Sequence, residues 1–214
     1  MGGERRLTAG LLAGALLLAP LSARPHEPEA GSRPAAPTPS LSANPSLAVI
    51  RPAPDFTLLD PQGRPVRLSE LRGRVVLLAF VYTSCPSACP LITQRMAVLQ
   101  RRLAAARLLP ARVSLVSVTV DPERDGPAAL ARYAKAFGAH PEGWRFLRES
   151  AEHLRPVLAS YDEWTRRLPS GEIDHPARLH LIDRAGRIRE IYSLALFDER
   201  QAFRDIQALL RESR

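Results

Sequence analysis

Cys85 and Cys89 are the only cysteines in the 214-residue chain. They lie within Phe80-Val81-Tyr82-Thr83-Ser84-Cys85-Pro86-Ser87-Ala88-Cys89-Pro90, where an apolar strand runs out and a helix can begin. This places all of the chain's thiol chemistry at one point. A strand end that feeds a helix is expected to expose both side chains at the edge of a sheet, and the positive helix end favours the thiolate, the form that binds soft metals and attacks disulfides. The plainer reading is a stabilising disulfide, the usual fate of paired cysteines outside the cytosol. A bridge between residues so close in sequence constrains the unfolded chain little, so the pair is poorly placed as a staple.

The chemistry needs a compartment. Glu4-Arg5-Arg6 precede an apolar stretch from Leu7 to about Leu21, and Leu21-Ser22-Ala23 offers a small-residue cleavage site. This is the layout of a secretory signal. The run is shorter than the roughly 20 residues of a spanning helix, which favours a cleaved signal over a permanent anchor. No cysteine lies there to carry a lipid. The body of the protein is therefore expected to be exported, in the periplasm or on the outer face of the cytoplasmic membrane, where a metal or a reducing partner must keep two thiols reduced. Residues 1–23 are read as signal or anchor and 24–52 as a linker rich in proline, alanine and serine, which cannot bury a core. Residues 53–214, roughly 160 in all, suffice for one domain.

The formal net charge of +8 invites a nucleic-acid reading. The basic residues are almost all arginines, with Lys135 the only lysine, and they are scattered over every expected element. Together with export, this points to a solvated basic surface and no nucleic-acid partner.

Stepping outward from the cysteines, the periodicities alternate. Phe56–Asp60 and Val66–Leu68 flank Pro61-Gln62-Gly63-Arg64 as an N-terminal hairpin. Val75–Tyr82 and Val113–Val120 read as strands buried on both faces, with a helix between them carrying Leu91, Met96, Leu99 and Leu103. Helices are expected over Pro127–Phe137 and Ala151–Tyr161, with a short strand, Trp144–Leu147, between them. Leu179–Asp183 and Ile188–Tyr192 form a final hairpin around Arg184-Ala185-Gly186-Arg187, and Asp198 caps a closing helix through Leu210. The order is that of an α/β, thioredoxin-like domain, a central mixed sheet flanked by helices.

Three motifs in order carry a resemblance. They are Cys-x-x-x-Cys-Pro at 85–90, Val118-Thr119-Val120-Asp121-Pro122-Glu123-Arg124-Asp125, and Asp174-His175 leading into Leu181-Ile182-Asp183-Arg184-Ala185-Gly186. From about Ala53 to Leu210 the chain resembles the Sco (SenC) family of copper chaperones. The resemblance implies a thioredoxin-like fold, copper, as Cu(I) or Cu(II), bound by Cys85, Cys89 and His175, and a role in assembling the binuclear copper centre of cytochrome c oxidase. The implied partners are the oxidase subunit that carries that centre, a copper donor and a thiol reductant.

Two thiolates and an imidazole are a soft, low-coordinate set that suits Cu(I), whereas a closed zinc site wants a fourth ligand. Of the other histidines, His26 falls in the linker, and His140 and His153 read as solvated or partly exposed. His180 lies where the family commonly has tyrosine and reads as strand packing. Met96 reads as core. Asp121 and Asp125 match acidic positions of the family; they serve either as caps and an ion pair with Arg124 or in metal transfer. Pro176 stands where the family usually has serine or threonine, removing an N–H and a hydroxyl beside His175.

Three functions compete. A copper carrier, not an enzyme, uses all three implied ligands. A thiol–disulfide reductase acting on an oxidase subunit would use Cys85 and Cys89 as attacking and resolving thiols, yet has no need of His175. A peroxidase of the peroxiredoxin type would want proline and threonine where Leu78 and Tyr82 stand.

Overall fold

The computed structural model describes residues 45–212. The expected signal or anchor at 1–23, most of the 24–52 linker and His26 lie outside the described residues.

The strands are β1 (Arg51–Pro52), β2 (Thr57–Leu59), β3 (Pro65–Arg67), β4 (Val75–Val81), β5 (Val113–Thr119), β6 (Trp144–Leu147), β7 (Arg166–Arg167), β8 (Ile173–Asp174), β9 (Arg178–Ile182) and β10 (Arg187–Ser193). The helices are α1 (Ala88–Ala105), α2 (Pro127–Ala136), α3 (Ala151–Ser160) and α4 (Glu199–Arg211). Six strands form one mixed sheet in the order β1-β10-β9-β4-β5-β6. β4 runs parallel to β5 and antiparallel to β9. All seven residues of β4 and of β5 are buried. Strands covered on both faces have no polar side to present, which is why both read as unbroken apolar runs.

Turn chemistry sets the hairpins. The Asp60 carboxylate accepts the backbone N–H groups of Gln62 and Arg64, closing the β2–β3 turn with Gly63 at φ +77°. Asp183 does the same for Ala185 and Arg187 between β9 and β10, with Gly186 at φ +83°. A short acceptor side chain followed by a residue tolerant of positive φ is the usual means of reversing a strand. Asp198 accepts from the N–H groups of Arg200 and Gln201 and caps α4, as expected.

Two features depart from the sequence reading. Leu91, grouped there with the apolar face of α1, is 45% exposed. The buried stripe is Cys89, Ile92, Met96, Leu99 and Leu103, and a step of five residues from Leu91 to Met96 turns about 140° away from it. Arg51–Pro52, assigned to the linker, forms β1, pairing Arg51 with Ile188 and Pro52 with Arg187. Among the described residues no helix is long and apolar enough to cross a membrane.

Candidate metal and thiol site

β4 ends at Val81 and α1 begins at Ala88, so the intervening loop carries Cys85 while Cys89 occupies the first turn of the helix. The helix has no side-chain cap at Ser87. Instead the Cys89 N–H donates to Cys85 Sγ at 3.3 Å, so a sulfur satisfies one of the free donors of the first turn. Pro90, also in that turn, has no N–H to satisfy. The expectation that both thiols are exposed is corrected: Cys89 is 0% exposed and Cys85 8%. The cause is the packing of α1, whose buried stripe begins at Cys89 itself, while the Tyr82 N–H donates to Cys89 Sγ at 3.4 Å. Both cysteines are free thiols.

The pair is polarised. The side chain of Cys89 is the largest influence holding Cys85 down, to about 5, against the opposing effect of burial; backbone N–H groups of Cys89 and Ser87 and the Tyr82 hydroxyl add to it. Cys89 is driven the other way, by its hydrogen bond to Cys85, by burial and by the Cys85 charge. The opposed shifts favour Cys85 as the thiolate and Cys89 as the protonated thiol.

The third residue arrives from far along the chain. The β7–β8 ladder pairs Arg166 with Asp174 in register, and their side chains form an ion pair. This holds His175 at the ladder's exit. The Ile173 N–H donates to the Tyr82 hydroxyl at 3.1 Å, fastening β8 to the end of β4, and the Tyr82 ring meets the imidazole of His175 edge-on at 6.0 Å. His175 Nε2 thus stands 3.9 Å from Cys89 Sγ, across 86 residues of sequence. Ligand atoms sharing one ion, at about 2.3 Å for sulfur and 2.0 Å for nitrogen as zinc holds them, lie roughly 3.5–4 Å apart. The spacing fits such an ion, and the donors are soft. Among the described residues no three His, Cys, Asp or Glu side chains are gathered closely enough to hold a metal ion together.

The remaining expected residues separate cleanly. Met96 and His180 are fully buried, as core and strand packing require. His140 and His153 are exposed. Asp121 is buried in ion pairs with Arg124 and Arg167. Asp125 does not cap α2, whose cap is Gly126; it accepts from Thr83 and Thr119 instead. Sequence reasoning missed Glu163. Its buried Oε2 lies 3.5 Å from His175 Nδ1, on the side of the ring opposite the sulfurs. Nothing in the composition or periodicity around it marks it out. It also gave Tyr82 no role at the site, although Tyr82 adjoins the cysteine loop in sequence.

The SCO1/SenC family model matches residues 48–211. The bovine mitochondrial protein SCO2 homolog is 37% identical over 146 residues, 66% of this chain and 53% of its own length. The chain thus spans about half of that relative. A SCO1/SenC family lipoprotein from Bacillus anthracis superposes with a TM-score of 0.68 at 26% identity, covering 75% of this chain and 96% of its own. Bradyrhizobium japonicum ScoI, solved with copper bound, gives a TM-score of 0.63 at 27% identity, covering 72% and 97%. With motifs, fold and a family model that takes in the whole six-stranded sheet in agreement, the chain belongs to the SCO1/SenC family.

Proposed function

We propose that this protein is an exported copper carrier that holds Cu(I) through Cys85, Cys89 and His175 and delivers it during assembly of the copper centre of cytochrome c oxidase. The observation that carries the reading is the approach of His175 Nε2 to Cys89 Sγ at 3.9 Å, beside the Cys85 sulfur that accepts the Cys89 N–H at 3.3 Å. A carrier needs soft donors in an open set, so that an acceptor's ligand can enter as the metal leaves. The copper-bound Bradyrhizobium japonicum relative supports copper as the cargo. The oxidase as destination rests on the resemblance described above. A reductase would use the same two thiols but gives the placement of His175 no purpose.

The test is copper binding by the reduced protein. Wild type should take up one Cu(I). Cys85→Ser or Cys89→Ser should abolish tight binding, and His175→Ala should weaken it by about ten-fold or more. The Cys85–Cys89 disulfide form should bind none, because its sulfurs are no longer thiolates. In cells, oxidase assembly should fail with each of the three replacements; normal assembly with His175→Ala and failure with both cysteine variants would transfer the assignment to a reductase.

A further inference from the structure

Three helices of this chain end in the same turn. After α1 the Leu108 N–H donates to the Leu103 carbonyl and the Arg107 N–H to that of Ala104; after α2 Ala139 donates to Ala134 and Gly138 to Lys135; after α3 Glu163 donates to Leu158 and Asp162 to Ala159. In each, the residue before the last donor has positive φ: Arg107 at 57°, Gly138 at 66° and Asp162 at 57°. This is the Schellman motif, whose final residue folds back against the helix and is ordinarily apolar. Leu108 and Ala139 follow the rule and pack on the core. Glu163 breaks it.

The geometry aims a carboxylate into the interior, between two imidazoles. Oε2 faces His175 Nδ1 at 3.5 Å and Oε1 faces His180 Nε2 at 4.0 Å, and all three side chains are 3% exposed or less. Among the described residues Oε1 and both His180 nitrogens have no hydrogen-bond partner. Burying unpaired polar groups is costly, and an apolar residue would serve the turn better. The arrangement costs stability, and the group it faces is a candidate metal ligand.

Nδ1 of His175 has two neighbours with opposite demands. The Ala177 N–H donates toward it at 3.3 Å, which suits a bare Nδ1 and a proton on Nε2. The Glu163 carboxylate suits a proton on Nδ1. Only the second tautomer leaves the Nε2 lone pair free toward the sulfurs. We propose that Glu163 is the positioning residue of His175: it accepts the Nδ1 proton and selects the tautomer that presents Nε2 to copper. This rests on the copper-carrier reading of the site.

The experiment uses the reduced full-length chain with 15N-labelled histidine. In the metal-free protein, Glu163→Val, which restores the usual apolar residue to the turn, should move the His175 proton from Nδ1 toward Nε2. In competition with a Cu(I) chelator the same variant should lose about ten- to a hundred-fold in affinity. Glu163→Gln keeps an acceptor oxygen and should retain most of the affinity and the wild-type tautomer. An unchanged tautomer with unchanged affinity in Glu163→Val overturns the inference and leaves the carrier reading intact. A tautomer shift in a wild-type background that binds no copper overturns the carrier reading and leaves the positioning of His175 standing. If Glu163→Val does not fold, Glu163→Met, nearer to glutamate in length, decides: the same shifts support the inference, and none overturns it.

Discussion

Thr83 and Asp125 are joined twice: the Thr83 N–H donates to Asp125 Oδ2 at 3.0 Å and the Thr83 hydroxyl to Oδ1 at 2.5 Å. Asp125 is fully buried and also accepts from the Thr119 hydroxyl at 2.5 Å. One carboxylate therefore ties together the exits of the parallel neighbours β4 and β5, where the loop bearing Cys85 departs. The acidic residue that the sequence reading weighed as a cap or a metal-transfer group is the anchor of the thiol loop.

Asp125→Ala should accordingly strand three donors, two of them hydroxyls with little access to water. Hydrogen bonds to a charged group are worth about 1.5–3 kcal/mol each, so a total loss of about 4.5 kcal/mol or more is expected in urea unfolding of the reduced protein. Asp125→Asn keeps one acceptor oxygen and should lose about 1–2 kcal/mol. Stabilities for the alanine variant within about 0.5 kcal/mol of wild type would show that the carboxylate is not the tie.

The polarised thiol pair gives a pH dependence. Cys85 is held down to about 5, mainly by its hydrogen bond from the Cys89 side chain. Its alkylation in the metal-free reduced protein should therefore rise through a midpoint near 5 and be flat across neutrality, where an ordinary thiol with a pKa of about 8.5 is still climbing. Cys89→Ala removes the donor and should move the midpoint upward. A wild-type midpoint near that of a free thiol would refute the polarisation.

Much of this architecture is legible in the sequence because its causes are local. The continuous apolar run of β4 reports burial on both faces, and Asp198 announces α4 by its capping chemistry. The three candidate ligands came from motif resemblance, since nothing in spacing alone joins His175 to Cys89, 86 residues away. Glu163 stayed hidden for a conformational reason. The turn that directs it inward is signalled after α2 by Gly138, but after α3 Asp162 adopts the positive φ, and a non-glycine residue leaves no such mark. The burial of the thiols was missed because it depends on which face α1 turns to the sheet, and counting Leu91 with Met96 and Leu99 placed part of that face wrongly.

His180, on the interior strand β9, should make the fold sensitive to acid. Burial, aided by the nearby charges of Arg51 and Arg178 and opposed by Asp162, lowers its pKa to about 4, with the Glu163 carboxylate 4.0 Å from Nε2 also acting against the shift. The unfolded chain takes up a proton near 6.5 while the folded one does not, so the stability contributed above 6.5 is lost as pH falls from there toward 4. Between pH 7 and pH 5 wild type should lose about 2 kcal/mol through this residue, and His180→Phe should lose correspondingly less. Denaturant unfolding at the two pH values measures the difference; equal losses in both proteins would remove His180 as the cause.

One hydroxyl serves both halves of the site. Tyr82 accepts the Ile173 N–H two residues before His175, and the same oxygen is among the donors that hold Cys85 as thiolate. Burial pushes the Tyr82 phenol up to about 12, so it remains a neutral donor throughout the working range. Tyr82→Phe keeps the ring against His175 and removes only the oxygen. It should cost about 1–2 kcal/mol in stability, because the Ile173 N–H is left unpaired in the interior. The Cys85 alkylation midpoint should rise at the same time, though less than in Cys89→Ala, since the tyrosine hydroxyl is the smaller influence. Cu(I) affinity should fall as well, because β8 no longer fixes His175 against the sulfurs. A Tyr82→Phe protein with lowered stability but an unmoved midpoint and full affinity would confine Tyr82 to holding the fold.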